Sequence, residues 1–308
     1  MKVDVIIPVY KPGKELFSLI EKLQQQSMGI NQIILMNTER QFFDEKSFQN
    51  RILEKYHNVS VYHLSKKEFD HGKTRHTGVT KSEADVFVML TQDAMPANEF
   101  LIEKLVAHLK DDVASAYGRQ LATKNSSVLE KFTRQFNYPK EGRLQSKEDL
   151  ERLGIKTYFC SNVCAAYRRD VYDKLGGFVH KTIFNEDMIY AAAVIKAGYK
   201  ISYEPEAMVY HSHNYTNMQQ LHRNFDLGVS QAEHPEVFAN VKSESEGKRM
   251  VKQATQYLKE NKLRRKIPYF YSQCGFKYMG YLLGKKYKLL PKWLIKKLTM
   301  NKEYWNKE

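Results

Sequence analysis

The chain has 308 residues, 42% hydrophobic and 12% aromatic, which is enough to bury a sizeable core and excludes general disorder. Its formal net charge of +14 is uneven: residues 261–308 hold 13 Lys/Arg against 2 Asp/Glu, leaving only +3 on the first 260. Three cysteines (Cys160, Cys164, Cys274) make no disulfide framework and fit a reducing cytoplasm, and Cys160-x3-Cys164 lacks the second Cys/His pair of a zinc site.

Asp4 interrupts the opening apolar run, so no signal peptide is expected, and no stretch approaches the roughly 20 apolar residues of a membrane span. Val3, Val5, Ile6 and Ile7 predict a first strand over residues 2–9, ended by Pro8, with Tyr10 just beyond it. Leu16, Leu19, Ile20 and Leu23 follow at i, i+3, i+4, i+7, one face of a helix. A second strand over 32–36 ends at Asn37-Thr38-Glu39, a helix is expected over 44–56, and a third strand over 59–64.

Phe69-Asp70-His71-Gly72 has turn composition and precedes a helix over 73–83 with Arg75 near its start. Val86 to Leu90 is a continuous apolar run, a strand covered on both faces, and Thr91, Gln92 and Asp93 come straight off its C-terminal end. In open α/β sheets ligands bind at that edge, so Asp93 is expected to meet a ligand, with or without a metal ion. A helix over 98–109 and a short strand over 113–117 complete an alternating half that predicts a parallel sheet. No GxGxxG or GxxxxGK[ST] loop follows the first strand, which argues against a dinucleotide enzyme or P-loop NTPase.

Residues 126–152 are polar and charged and read as a loop with a short helix. Gly176-Gly177-Phe178 closes a helix with a sharp turn, and Glu186-Asp187 opens an Ala-rich helix running to Lys196. Residues 201–203 and 207–210 read as two short strands, with His211-Ser212-His213 directly after. Helices are expected over 218–232, 243–261 and 267–283, and a last one from Pro291.

Taken in order, Pro8-Val9-Tyr10, Thr74-Arg75-His76-x-Gly78, Thr91-Gln92-Asp93, Tyr167-Arg168-Arg169, Gly176-Gly177-Phe178, Glu186-Asp187 and His211 resemble the family 2 glycosyltransferases of GT-A fold. The Phe69-Asp70-His71-Gly72-x-Thr74-Arg75 and Gln92-Asp93-Ala94-x-Pro96 strings are most similar to the bacterial rhamnosyltransferase branch. The resemblance covers about residues 2–215. It implies a Rossmann-like α/β domain, a mostly parallel sheet with helices on both faces, over residues 1–215. A helical, basic extension over 216–308 follows.

The implied chemistry is inverting transfer of a sugar, L-rhamnose from dTDP-L-rhamnose above all, to a hydroxyl of a lipid-linked saccharide in surface polysaccharide synthesis. A UDP-sugar donor and a non-catalytic assembly subunit are the alternatives. The resemblance makes Asp187 the catalytic base, and Asp93 and His211 the ligands of Mg²⁺ or Mn²⁺. It puts Pro8, Tyr10, Asn37, Glu39, Asp70, Arg75, Gln92 and Asp93 on the donor, and Gly177, Phe178 and Glu186 on the acceptor side. Thr91 stands where the first DXD aspartate is usual, and Asn37 where an acid commonly reads the base.

The residues alone also admit plainer roles. Asp93 suits a turn or helix cap, Glu186-Asp187 complement a helix dipole, Arg75 suits a solvated helix face, and Asp70 and His71 order a loop as readily as they touch sugar. Of His211 and His213, only one need be functional. In the tail, Lys285, Lys286, Lys288, Lys292, Lys296 and Lys297 alternate with Leu289, Leu290, Trp293, Leu294, Ile295 and Leu298. This pattern predicts an anionic membrane surface as partner, on the cytoplasmic face of the plasma membrane. Packing on the catalytic domain or a homo-oligomer contact is the next reading. No nucleic-acid recognition motif is present, so no nucleic-acid partner is expected.

Overall fold

The computed structural model describes residues 1–43, 52–239, 241 and 244–306. Of the helix expected over 44–56, residues 44–51 lie outside the described residues, and 52–55 are helical. The opening strands are β1 (Val3–Tyr10), β2 (Gln32–Thr38), β3 (Val59–Leu64) and β4 (Val86–Leu90). They pair in parallel in the order β3-β2-β1-β4, and helices α1 (Lys14–Gln24) and α2 (His71–Thr80) belong to their crossovers. Alternation sorts their side chains. Val5 and Ile7 of β1 and Val86, Val88 and Leu90 of β4 join Leu16, Leu19 and Leu23 of α1 on one face. Ile6, Phe87 and Met89 enter the core on the other face with Val79 of α2.

Beyond β4 the sheet becomes mixed. The later strands are β5 (Met95–Pro96), β6 (Val113–Leu121), β7 (Arg143–Gln145), β8 (Cys164–Arg168) and β9 (Lys200–Tyr210). β8 lies antiparallel between β4 and β6, β9 runs parallel to β6, and β5 and β7 pair antiparallel with β9. The two short strands expected after residue 200 are one strand of 11 residues. Its register against β6 shifts between Gly118↔Glu204 and Arg119↔Met208, so Pro205, Glu206 and Ala207 bulge out. Pro205 has no N–H to give a ladder, which is why the apolar pattern breaks there.

Helix α3 (Leu101–Ala107) follows β5, and residues 126–152 are more ordered than their charge suggests. Helix α4 (Val128–Asn137) begins where the Ser127 hydroxyl accepts the Glu130 amide, and the short α5 (Leu150–Leu153) follows β7. Helices α6 (Arg169–Lys174) and α7 (Glu186–Lys196) lie between β8 and β9.

The chain closes with α8 (Asn217–Glu233), α9 (Pro235–Phe238), α10 (Glu244–Glu260), α11 (Ile267–Lys285) and α12 (Lys292–Leu298). Helix α11 lies against α8 at backbone distance. A Cβ on Gly280 would come 2.2 Å from the Leu221 carbonyl oxygen, and one on Gly284 would come 2.1 Å from that of Phe225. Phe225 and Val229 of α8 pack with Ile183, Ile295 and Tyr304, and Leu129 of α4 packs with Ala254, Leu258 and Phe270. The extension is therefore anchored to the 183–185 segment and to α4. No helix of the described residues is long and apolar enough to cross a membrane.

Candidate active site

Two groups of polar side chains gather at one edge of the sheet, and strand pairing explains how. β5 starts two residues after Asp93 and pairs antiparallel with Val209 and Tyr210, the end of β9. Asp93 is thereby brought to His211, although 117 positions separate them in sequence. β8 begins where β4 ends, Cys164 opposite Leu90, so the 161–163 turn sits beside Thr91, whose N–H donates to the Val163 carbonyl at 3.3 Å.

Asp93 Oδ2 lies 3.5 Å from His211 Nε2 and 3.3 Å from His213 Nε2. The three ligand atoms lie within 4.8 Å of one another. Burial opposes ionisation of Asp93, but His211 and then His213 outweigh it and hold the carboxyl well below the usual range. Burial and the neighbouring His211 hold His213 below its ordinary value, which favours the neutral, ligating imidazole. His211 Nδ1 lies 3.0 Å from Gln120 Oε1, an acceptor, so that nitrogen carries a proton and the ring is held in place. Gln120 is itself fixed by Ser161, 3.1 Å from its amide nitrogen, and by Arg134, which donates to its oxygen and pairs with Glu130 at 2.8 Å.

The second group opens α7. The Asn162 backbone N–H donates to Asp187 Oδ2 at 3.1 Å, and its side-chain amide donates to Glu186 Oε1 at 3.1 Å. Asn162 is held in turn by Tyr167, whose hydroxyl donates to its Oδ1 at 2.8 Å. Arg75 Nη1 pairs with Glu186 Oε1 at 3.2 Å, both side chains buried. Burial and the Glu186 charge push Asp187 up to about 7, while burial of Glu186 is outweighed by Arg75 and His71, which hold it low. Asp187 keeps partial contact with solvent, whereas Glu186 is buried. One carboxylate is thus locked as an anion while its neighbour stands ready to take a proton near neutrality.

Several of the residues expected at the donor also bond groups of the chain itself. Asp70 caps α2: its Oδ1 accepts the Gly72 and Lys73 amides at 3.0 Å each, and its Oδ2 accepts the Thr182 amide at 3.2 Å. It orders the turn. Gln92 pairs with the Tyr10 backbone in both directions at 3.0 Å, extending the end of β1. Glu39 Oε1 accepts the Lys66 amide. Arg75 is turned to Glu186 and to the His71 carbonyl, the latter at 3.0 Å.

Gly177, at φ +70°, is where a Cβ would fall 2.7 Å from the Tyr172 ring, and Phe178 is packed among Tyr167, Tyr172 and Tyr190. Phe178 belongs to the core, and Gly177 is half-buried at its margin. Glu186 likewise steadies its neighbour, for its contacts go to Arg75 and Asn162.

The remaining residues lie at the ends of β1, β2 and β4 and differ in exposure. Pro8 is half-buried in β1, and Tyr10 is exposed, edge-on to Phe42 with Lys11 over both rings. Asn37 is fully buried. Its Nδ2 contacts the Glu39 carbonyl and His63 Nδ1, and its Oδ1 has no partner among the described residues. Thr91 Oγ1 is a second buried oxygen without one.

Comparison with known proteins gives this arrangement its class. Residues 4–176 match the model of glycosyl transferase family 2. The chain belongs to that family and is a glycosyltransferase. It is 38% identical over 313 residues to the O-antigen chain rhamnosyltransferase RfbN of Salmonella typhimurium (strain LT2), covering 99% of this chain and 96% of that protein. It is 37% identical to the O-antigen chain rhamnosyltransferase WbaN of Salmonella anatum, covering 98% and 95%.

Among solved structures, the mannosyltransferase PcManGT from Pyrobaculum calidifontis, in complex with GDP-Man and Mn²⁺, superposes with a TM-score of 0.55. It is 13% identical, over 99% of this chain and 85% of that one. S. aureus TarS 1–349 in complex with UDP-GlcNAc gives a TM-score of 0.53 at 14% identity, over 94% and 91%. At those identities the likeness is one of fold, and the fold is the GT-A-like α/β expected from the sequence.

Proposed function

We propose that this glycosyltransferase moves L-rhamnose from dTDP-L-rhamnose to a hydroxyl of a lipid-linked saccharide in bacterial surface polysaccharide synthesis, with inversion. The observation that carries the chemistry is one sheet edge holding both a carboxylate raised toward neutrality and a trio of one carboxylate and two imidazoles. Rhamnose and O-antigen come from the names of the two near-full-length relatives.

In this reading Asp187 accepts the proton of the acceptor hydroxyl as its oxygen attacks the anomeric carbon. The bond from that carbon to the diphosphate breaks, and its electron pair leaves with the nucleotide. Glu186, kept anionic by Arg75, raises the proton affinity of Asp187, and Asn162 fixes its direction. Asp93, His211 and His213 are the residues that would hold a divalent ion, whose charge stabilises the departing diphosphate. Two imidazoles beside one carboxylate suit Mn²⁺ better than Mg²⁺, which prefers an all-oxygen shell. Tyr10, exposed at the same edge, offers a ring on which a nucleobase can stack.

A lipid-linked acceptor calls for a membrane surface, on the cytoplasmic side in this reading. Leu289 is 81% exposed and Trp293 61% exposed, amid Lys285, Lys286, Lys288 and Lys292. Substituting both by aspartate should abolish flotation with anionic liposomes and leave the melting temperature unchanged; undiminished flotation would remove the membrane contact.

Product detection with dTDP-rhamnose and a panel of UDP-sugars, each with lipid-linked saccharides, tests the donor. Rhamnosyl product from dTDP-rhamnose alone is expected. Transfer from a UDP-sugar without any from dTDP-rhamnose would replace the donor.

A further inference from the structure

A cleft of about 310 Å³ lies between the end of β6 and helix α4, and none of Asp93, Asp187, His211 and His213 lines it. Its wall holds Arg119, Lys124, Lys131 and Arg134 together with Gln135 and Tyr210, and among the described residues that line it none is acidic. The cluster is local. The chain's surplus of charge lies in residues 261–308 and the first 260 carry only +3, so four cations without a carboxylate are no sample of general basicity. The one acid between Arg119 and Tyr138 is Glu130, which holds Arg134 at 2.8 Å and lines a different cleft, with Thr133 and His213.

Most of this charge is uncommitted. Arg119 donates its Nε–H to the Tyr138 carbonyl at 3.2 Å, which fixes one side of the guanidinium, and its Nη groups have no partner among the described residues. The side chains of Lys124, Lys131 and Gln135 have no hydrogen bond or ion pair among the described residues either. Cations gathered on a concave surface repel one another, and an anion placed between them is attracted by all of them at once. Tyr210 leaves 43% of its surface exposed at this wall. An open ring and a free amide suit the C–H face and the hydroxyls of a sugar. The volume is that of about ten waters, more than a lone phosphate group fills and enough for a sugar ring with a charged substituent. A nucleic-acid backbone would need a longer basic track, and a bilayer a protruding apolar face.

Position ties the cleft to sugar transfer. Gln120 lines it and also lies 3.0 Å from His211 Nδ1, and Tyr210 directly precedes His211. We propose that Arg119, Lys124 and Lys131 form an acceptor subsite for an acidic saccharide unit, which lies against the Tyr210 ring. This rests on the glycosyltransferase reading above and narrows its acceptor to saccharides bearing a carboxylate or a phosphate ester. Asp187 does not line the cleft, so the unit held there is a neighbour of the one whose hydroxyl receives the sugar.

The test is retention of the full chain on an array of neutral, carboxylate-bearing and phosphorylated saccharides, then calorimetry with the best-retained member. The wild type should prefer acidic saccharides, and the class retained names the anion. Arg119→Gln, and a double variant Lys124→Gln with Lys131→Gln, should each bind that saccharide about tenfold or more weakly, as expected for charge-assisted contacts. The double variant changes two exposed side chains and should melt like the wild type, so its loss of binding is not a loss of fold. Lys296→Gln with Lys297→Gln removes the same charge from the basic tail and should bind like the wild type. Equal retention of neutral saccharides, undiminished binding in both cleft variants, or an equal loss in the tail variant would overturn the subsite. So would displacement of the saccharide by inorganic pyrophosphate with Mn²⁺, which would move it to the trio. The measurement needs neither donor nor turnover, and Asp187→Asn should bind the saccharide like the wild type. Failure of the subsite and failure of the rhamnosyl-transfer reading are thus separate results.

Discussion

The Glu186–Asp187 pair and the Asp93–His211–His213 trio lie at the same sheet edge but are built differently. Glu186 is buried and answered from within the protein by Arg75 and Asn162, and Asp187 by two backbone amides. The trio is half-open: its imidazole nitrogens and carboxylate oxygen point at one another, Gln120 steadies the His211 ring, and Tyr215 lies beside the His213 ring. In the function proposed above the pair is the base, which must hold its geometry and proton affinity between turnovers, so complete surroundings in the free protein suit it. The trio is the proposed ion site, which its ion would complete.

That contrast can be broken at several points. Arg75→Ala leaves the buried Glu186 charge with Asn162 and nearby His71, and should cost about 3–5 kcal/mol of stability, read from denaturant unfolding. A loss below about 1 kcal/mol would mean the pair is not braced as described. Gln120→Leu acts on the other group: it frees the His211 ring and should weaken Mn²⁺ binding about 10–100-fold. Unchanged Mn²⁺ affinity would detach Gln120 from the trio.

The pH dependence sharpens the base side. Because burial and Glu186 raise the proton affinity of Asp187, the carboxylate form is lost as pH falls through about 7. Below that point kcat/KM should fall about tenfold per pH unit, and the step belongs to the coupled pair. A profile flat down to pH 5 would contradict it. The smallest effect is expected from Ser127→Ala, which removes the cap of α4 and should cost about 1 kcal/mol with little change in Mn²⁺ affinity.

The parallel half of the sheet was readable because buried strands are apolar runs and α1 carries an unbroken helical stripe. Asp93, Asp187 and His211 were picked out by their order along the chain. Asn162 and Gln120 were missed because their work is done by a backbone amide and a second contact, which leave no spacing to find. His213 was underrated, since alternation says that two residues share a side but not that both reach one carboxylate. Oxygens of Asp70, Gln92 and Glu39, which the resemblance puts on the donor, also accept the chain's own amides, a use that no spacing announces. A sequence does not tell whether a carboxylate will face a ligand or cap a turn. Helix α4 did leave a signal, Ser127-x-x-Glu130 ahead of Phe132, outweighed by the surrounding charge. The mixed half of the sheet, with β8 antiparallel and β9 bulged at Pro205, follows from long-range pairing that local patterns do not encode.

The most direct test compares Asp187→Asn and Asp93→Asn by dTDP-rhamnose binding, with and without Mn²⁺, alongside turnover. Asp187→Asn should bind the donor as tightly as wild type, still dependent on Mn²⁺, with turnover down about 10²–10⁴-fold. Asp93→Asn should lose the Mn²⁺-dependent part of binding. Retained turnover in Asp187→Asn, or wild-type donor binding indifferent to Mn²⁺, would contradict the division of this edge into a base and an ion site.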